Sequence, residues 1–218
     1  MSEVLDRWFT RWYPLLMSIS ERGGQADVRA AQLGRAVGRT LEVGVGSGLS
    51  LPHYGSAVTE LVLVEPDRNF RTTLRRTLET VGATRPTTVL DADVERLPFE
   101  DASFDTVTAS FTFCSVRRPD VGLAELHRVL RPGGRFLFHE HVRGHGLRAR
   151  VQDLLAPLQA ALSGGCRPDR DFAGTVRASA FRIDELVPDR MPRAFPTVSP
   201  VVHGVASRTT EDAAGERS

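Results

Sequence analysis

Leu41-Glu42-Val43-Gly44-Val45-Gly46-Ser47-Gly48-Leu49-Ser50 is the stretch that decides the fold. An apolar run ends at Val43, and glycines follow at every second position. Glycine adopts the left-handed backbone of a tight turn and lets a ligand approach the main chain without a Cβ in the way. A turn of this kind lies beyond the carboxyl end of its strand, where open parallel sheets bind ligands. Taken alone, it also fits a glycine-rich strand-to-helix connection with no ligand. The residues around it have to decide.

Outward from the turn, apolar runs alternate with helical segments, which signals a parallel sheet covered by helices. Strands are expected at 40–43, 61–64, 87–90, 105–110 and 135–138, with later ones near 180–183 and 201–206. Helices are expected near 68–81, 121–130 and 147–162. Pro132-Gly133-Gly134 reads as a break between the helix ending at Leu130 and the fifth strand. There is no internal repeat.

Two acidic positions sharpen the ligand question. Glu65 closes the second strand, where a carboxylate can accept from both hydroxyls of a ribose. A dinucleotide site would share that feature, but it would carry glycine at Leu49 in the pattern G-x-G-x-x-G. Asp93 follows the third strand in Asp91-Ala92-Asp93-Val94-Glu95. Its carboxylate can accept from an adenine amino group, with the Val94 amide donating to the ring.

Leu97-Pro98-Phe99, Ser103-Phe104-Asp105-Thr106-Val107 and Leu130-Arg131-Pro132-Gly133-Gly134 follow in order. With these motifs the chain resembles the class I S-adenosylmethionine-dependent methyltransferases, firmly over residues 39–140 and more weakly to about 207. The resemblance implies a Rossmann-like α/β fold: a seven-stranded, mostly parallel sheet with an antiparallel last strand at 201–206, helices on both faces, and an N-terminal helical lid. It implies S-adenosyl-L-methionine as cofactor. Glu42, Gly44, Gly46 and Gly48 would surround the methionine half, Glu65 the ribose, and Asp93 and Val94 the adenine. Ser110 and Phe111 would lie beside the sulfonium. Phe113-Cys114-Ser115-Val116, Glu140-His141-Val142 and Gly165-Cys166 look like the thiol S-methyltransferase branch. Gly46-Ser47-Gly48-Leu49-Ser50-Leu51-Pro52 also resembles bacterial phosphatidylethanolamine N-methyltransferases, which lie close to the methyltransferases of quinone biosynthesis.

Methyl transfer from a sulfonium is mostly a matter of alignment and water exclusion, so no catalytic triad is expected. His139, Glu140 and His141 are candidate bases at the end of the fifth strand, with His141 favoured. A structural, hydrogen-bonding role is the competing reading for His141. Cys114 is a candidate beside the methyl group, against the alternative of a small buried filler. A metal site using His145 as well is set aside, because histidines trailing a strand need no ligand. Arg143, Arg148, Arg150, Arg167 and Arg170 read as a solvated helix face rather than as a cationic rim.

Composition narrows the classes further. A net charge of +1 gives no case for nucleic acid. All 28 basic residues are arginine, which excludes lysine-based Schiff-base and P-loop chemistry. Two cysteines do not make a disulfide framework. The opening residues lack the basic flank of a secretory signal, so a cytoplasmic protein is expected. Trp8, Phe9, Trp12, Leu16 and Ile19 recur at helical spacing, divided at Pro14. They are expected to pack over the site within a lid segment 1–37, contact with a membrane being the less favoured reading. The domain is expected at 38–207 and a disordered tail at 208–218. The expected partner is a small-molecule acceptor, a thiol foremost, with membrane phospholipid or quinone as the alternative. A silent cofactor-binding regulator is the reading outside catalysis. The oligomeric state is open.

Overall fold

The structure is a computed structural model that describes residue 12, residue 15, residues 17–82 and residues 84–210. Trp8, Phe9, Leu16 and residues 211–218 lie outside the described residues. Seven strands form one sheet: β1 (Gly38–Val43), β2 (Val58–Val64), β3 (Thr87–Leu90), β4 (Phe104–Ser110), β5 (Leu130–His141), β6 (Arg182–Arg190) and β7 (Pro200–Ser207). Their order is β3-β2-β1-β4-β5-β7-β6. The first five run parallel, and β7 lies antiparallel between β5 and β6.

Buried strands alternate faces with a period of two. Leu41, Val43, Val62, Val64, Val107, Phe136 and Phe138 meet α3 (Pro119–Val129) and α5 (Phe172–Arg177) through Leu123, Leu126, Phe172 and Val176. Leu61, Leu63, Leu137 and Val205 meet α1 (Ala26–Leu33) and α2 (Arg68–Val81) through Leu33 and Leu74. Asp67 caps α2 by accepting from the Asn69 and Phe70 amides, both at 2.8 Å. The strand order reverses between β1 and β4, so the loops leaving their carboxyl ends diverge and open a crevice there.

Three sequence expectations are corrected. Pro132-Gly133-Gly134 does not break the chain between helix and strand. α3 ends at Val129, and β5 runs unbroken from Leu130, with Gly133 at φ +80° and a register shift against β4 between Phe104 and Thr106. One irregular register step absorbs the breaker residues without ending the pairing. The sixth strand covers 182–190 rather than 180–183. Arg208, expected in the tail, is buried, and its side chain donates to the carbonyls of His127, Arg128 and Leu130.

Candidate active site

A cavity of about 1100 Å³ opens at the carboxyl ends of β1, β2, β4 and β5. All nine residues that the sequence assigns to the cofactor, except Gly48, line it. Gly48 sits just behind, where a Cβ would press on Leu74 and Leu51 at 2.9 and 3.0 Å. Gly44 has φ +64° and lies against the loop after β4, where a Cβ would meet the Thr112 side chain. Gly46 differs: at φ +58°, nothing lies within 4 Å of the position a Cβ would take. Its open side faces the cavity, the condition for a ligand to reach main chain.

The acidic residues are held in two ways. Glu42 is buried and accepts from Ser50 Oγ at 2.7 Å and Tyr54 Oη at 3.0 Å. Tyr54 Oη also bonds Thr108 Oγ1 at 2.7 Å. Burial pushes the Glu42 carboxyl up to about 7, against the lowering effect of those hydroxyls. Glu65 accepts from the Gly46 amide at 2.8 Å and the Asp67 amide at 2.9 Å, so it ties the glycine turn to the end of β2. Burial raises its carboxyl as well. Asp93 is exposed and accepts from the Glu95 amide at 2.9 Å, while Val94 is buried.

The loop after β4 carries a strained residue. Phe111 has φ +56°, a region that bulky side chains rarely occupy. Its amide donates to His139 O at 2.7 Å. Its ring lies 4.7 Å from that of His139 and 4.6 Å from that of His141. Such an outlier persists only where its surroundings over-determine it. Part of that determination comes from Glu140, which is fully buried. Its carboxylate accepts the amides of Thr112 at 2.7 Å, Phe113 at 2.9 Å and Cys114 at 3.3 Å. Burial lifts this carboxyl to about 7 as the three amides oppose it.

Of the three candidate bases, only His141 lines the cavity. His139 and His141 share one face of β5, and Glu140 points to the other. The histidines are not trailing and exposed: both are buried within the strand. Burial lowers His141 to about 4 and His139 to about 3, so both rings are neutral at pH 7. His141 Nδ1 is buried without a hydrogen-bond partner. Cys114 lines the cavity with Sγ 3.4 Å from Phe111 O, and contact with Cys166 and burial raise its thiol well above the ordinary range. Among the described residues no group of three metal-ligating side chains exists. Arg143 pairs with Asp153 and Arg167 with Asp169, and Arg170 donates to the carbonyls of Phe113 and Val116. These arginines therefore do not present a free cationic rim.

Sequence reasoning missed Arg29. It projects from α1, is only 5% exposed, pairs with Glu21 at 2.8 Å and lies over the Phe111 ring at 6.0 Å. It lines the cavity, and its Nε is buried without a partner. Met17, Ile19 and Ser20 border the cavity too, with Ser20 Oγ donating to Pro192 O at 2.7 Å.

A methyltransferase domain model matches residues 41–138. The chain is 34% identical over 162 residues to a phosphatidylethanolamine N-methyltransferase from Cereibacter sphaeroides, covering 73% of this chain and 79% of the relative. This chain belongs to the class I S-adenosylmethionine-dependent methyltransferases. The methyltransferase is also 30% identical over 171 residues to thiol S-methyltransferase TMT1A from Homo sapiens, over 76% of this chain and 69% of that one. A SAM-dependent methyltransferase from Thermotoga maritima shares its fold with a TM-score of 0.67 at 19% identity, over 93% of this chain and 95% of that one. Its cofactor is S-adenosylmethionine. The donor set fits that group: acceptors at the ends of β1 and β2, an open glycine, and a buried arginine with an unpartnered nitrogen.

Proposed function

We propose that this methyltransferase methylates the polar head of an amphiphilic acceptor taken from an apolar surface. The observation that carries this reading is helix α4 (Gly146–Leu162). Only Ala149, Gln152 and Ala156 of this helix are buried. Leu147, Val151, Leu154, Leu155, Leu158 and Leu162 are exposed on the opposite side, Leu147 and Leu154 by 77% and 79%. Leu155, Leu158 and Leu162 also line the cavity, and the 74% exposed Phe195 stands at the same rim. Helices normally turn such a stripe inward. An outward one that continues into a ligand cavity fits a hydrocarbon tail or a lipid surface. No described helix is long and apolar enough to cross a membrane, so the contact would be peripheral.

On this reading Glu65 receives the ribose hydroxyls, Asp93 and the Val94 amide receive adenine, and Gly44 and Gly46 let the methionine half lie against main chain. Arg29 takes its carboxylate. The cofactor supplies a methyl group already activated on a sulfonium. The chain's remaining tasks are to align the nucleophile and keep water out. Ser110 and Phe111 would border the transfer point. Charged groups of both signs line the cavity, Glu42, Glu65 and Asp93 with Arg29, Arg117 and Arg193. His141, neutral and on the cavity wall, would take the acceptor's proton.

A thiol is the second reading of the head group, since a thiol arrives uncharged and gives up its proton readily. Release of S-adenosylhomocysteine, measured with decanethiol, a short water-soluble thiol, phosphatidylethanolamine vesicles and quinone precursors, tests both readings. Turnover should favour the long-chain or vesicle-borne acceptors over the short thiol by roughly tenfold or more, as burial of several methylenes would give. Equal turnover of the short thiol would discard the amphiphile and leave the thiol.

A further inference from the structure

Cys114 and Cys166 are the chain's two cysteines, far apart in sequence and both free. The fold brings them to one wall of the cavity, on the α4 side. The Arg167 amide donates to Cys114 O at 2.8 Å, and the Cys166 amide donates to Ser163 O at 3.0 Å. Gly165, at φ +85°, adopts the left-handed backbone that carries the loop after α4 past Ser115, whose O lies 3.6 Å from the position a Cβ would take. The Arg167–Cys114 bond holds the residue after Cys166 against the Cys114 backbone, the close approach required by a disulfide, which bridges Cα atoms roughly 4.4–6.8 Å apart. The methyl-transfer reading uses neither of them as a pair.

We infer that Cys114 and Cys166 form a reversible dithiol–disulfide site, with a small-molecule disulfide as its oxidant. Cys166 is half-buried on the cavity wall and meets the oxidant first. Its thiolate attacks one sulfur of the small disulfide, one small thiol leaves, and a mixed disulfide remains. Cys114 then loses its proton and attacks Cys166 Sγ, expelling the second small thiol. Two protein thiols are oxidised, one small disulfide is reduced to two thiols, and the two protons end on those thiols. Contact with Cys166 and burial hold the Cys114 thiol protonated, so this second step is the slow one.

The bond would join the loop after α4 to the loop after β4 that Glu140 anchors. It would thus fix the width of the acceptor side of the cavity and leave the turn at Gly46 and Glu65 untouched. The state of the pair does not depend on which acceptor the enzyme uses.

The test incubates the full-length protein with glutathione disulfide. Intact mass and peptide mapping should show one intramolecular Cys114–Cys166 disulfide, reversed by dithiothreitol and absent from both Cys166→Ser and Cys114→Ser. Affinity for S-adenosylhomocysteine, read by calorimetry, should change by less than about twofold, while turnover with phosphatidylethanolamine vesicles should fall by roughly tenfold in the oxidised form, a loss in line with the cost of misplaced reactants. Stable glutathione adducts without the internal bond would overturn the site. An equal loss of turnover in oxidised Cys166→Ser would overturn its action on the cavity. Inactivity of the reduced enzyme with every acceptor would count against the acceptor reading, and the mass result would still decide the disulfide.

Discussion

The turn after β1 and the wall formed by α4 border the same cavity, yet they are held in opposite ways. The turn is fastened by polar bonds: Glu65 to the Gly46 and Asp67 amides, Glu42 to Ser50 and Tyr54. Most of these partners lie close in sequence, and each bond has one geometry. The α4 wall rests on a narrow seam of Ala149, Gln152 and Ala156 and turns its leucines outward. Gln152 supplies most of the polar anchorage there, accepting from the Gly144 amide and donating to the Thr197 carbonyl, at 2.7 and 2.8 Å. The contrast separates a constant demand from a variable one. A cofactor of fixed shape is met by fixed donors, and an acceptor with a flexible tail by a surface.

If that division is right, the two sides should fail independently. Glu65→Ala removes a charge-assisted acceptor, so affinity for S-adenosylhomocysteine should drop by about 2–3 kcal/mol, roughly 30- to 150-fold, in calorimetry. A loss below about threefold would mean that Glu65 serves the turn and not the ribose. On the other side, Leu154→Asp with Leu158→Asp should cut turnover of vesicle-borne acceptor roughly tenfold. Cofactor affinity and melting temperature should hold, because these positions are 79% and 59% exposed. A double variant that melts early, or that turns vesicles over normally, would erase the distinction between wall and docking surface.

The smallest effect concerns pH. The lowered histidines and raised carboxylates pull stability in opposite directions. Between about 4 and 6.5 the unfolded chain takes up the proton that His141 refuses, so this residue's contribution to stability grows as pH rises. Glu42 and Glu140, raised from 4.5 to about 7, hold protons that the unfolded chain has released, so their contributions shrink over that window. In the overlap the two largely cancel. Glu140→Gln removes one carboxylate slope. Its melting temperature relative to the parent should therefore climb steadily from pH 4.5 to 7, whatever its absolute value. A flat difference across that range would show that Glu140 stays ionised in the fold.

The same contrast explains what the sequence made legible. β1, β2, β3 and β4 and the turn between β1 and β2 stood out because short β-branched runs and spaced glycines are local signals. The acidic residue at each strand end followed from order alone. β6 was harder to place. It is an edge strand with Pro188 and five charged residues, and edges tolerate residues that disguise them. Glu140 and Arg29 were opaque for another reason. Alternation along β5 separates Glu140 from its histidine neighbours, a signal present in the sequence, but only the fold places three amides of the β4 loop beneath its carboxylate. Arg29 sits in a polar helix with its ion-pair partner eight positions earlier, and its position over Phe111 depends on tertiary packing.

The strand order β5-β7-β6 has a consequence for how the molecule is made. As the chain leaves the ribosome, β1 to β5 can pair in succession, each beside a strand already present. β6 emerges next and finds no neighbour, because the strand that lies between it and β5 has not yet been synthesised. The junction of α3 and β5 waits with it, since Arg208, whose side chain donates to the carbonyls of His127, Arg128 and Leu130, arrives some eighty residues later. Nascent β6 is therefore an unpaired edge for as long as the segment from 191 to 208 takes to appear. Its proline and its five charged side chains, Arg182, Asp184, Glu185, Asp189 and Arg190, are what keep that interval from becoming an invitation to aggregate.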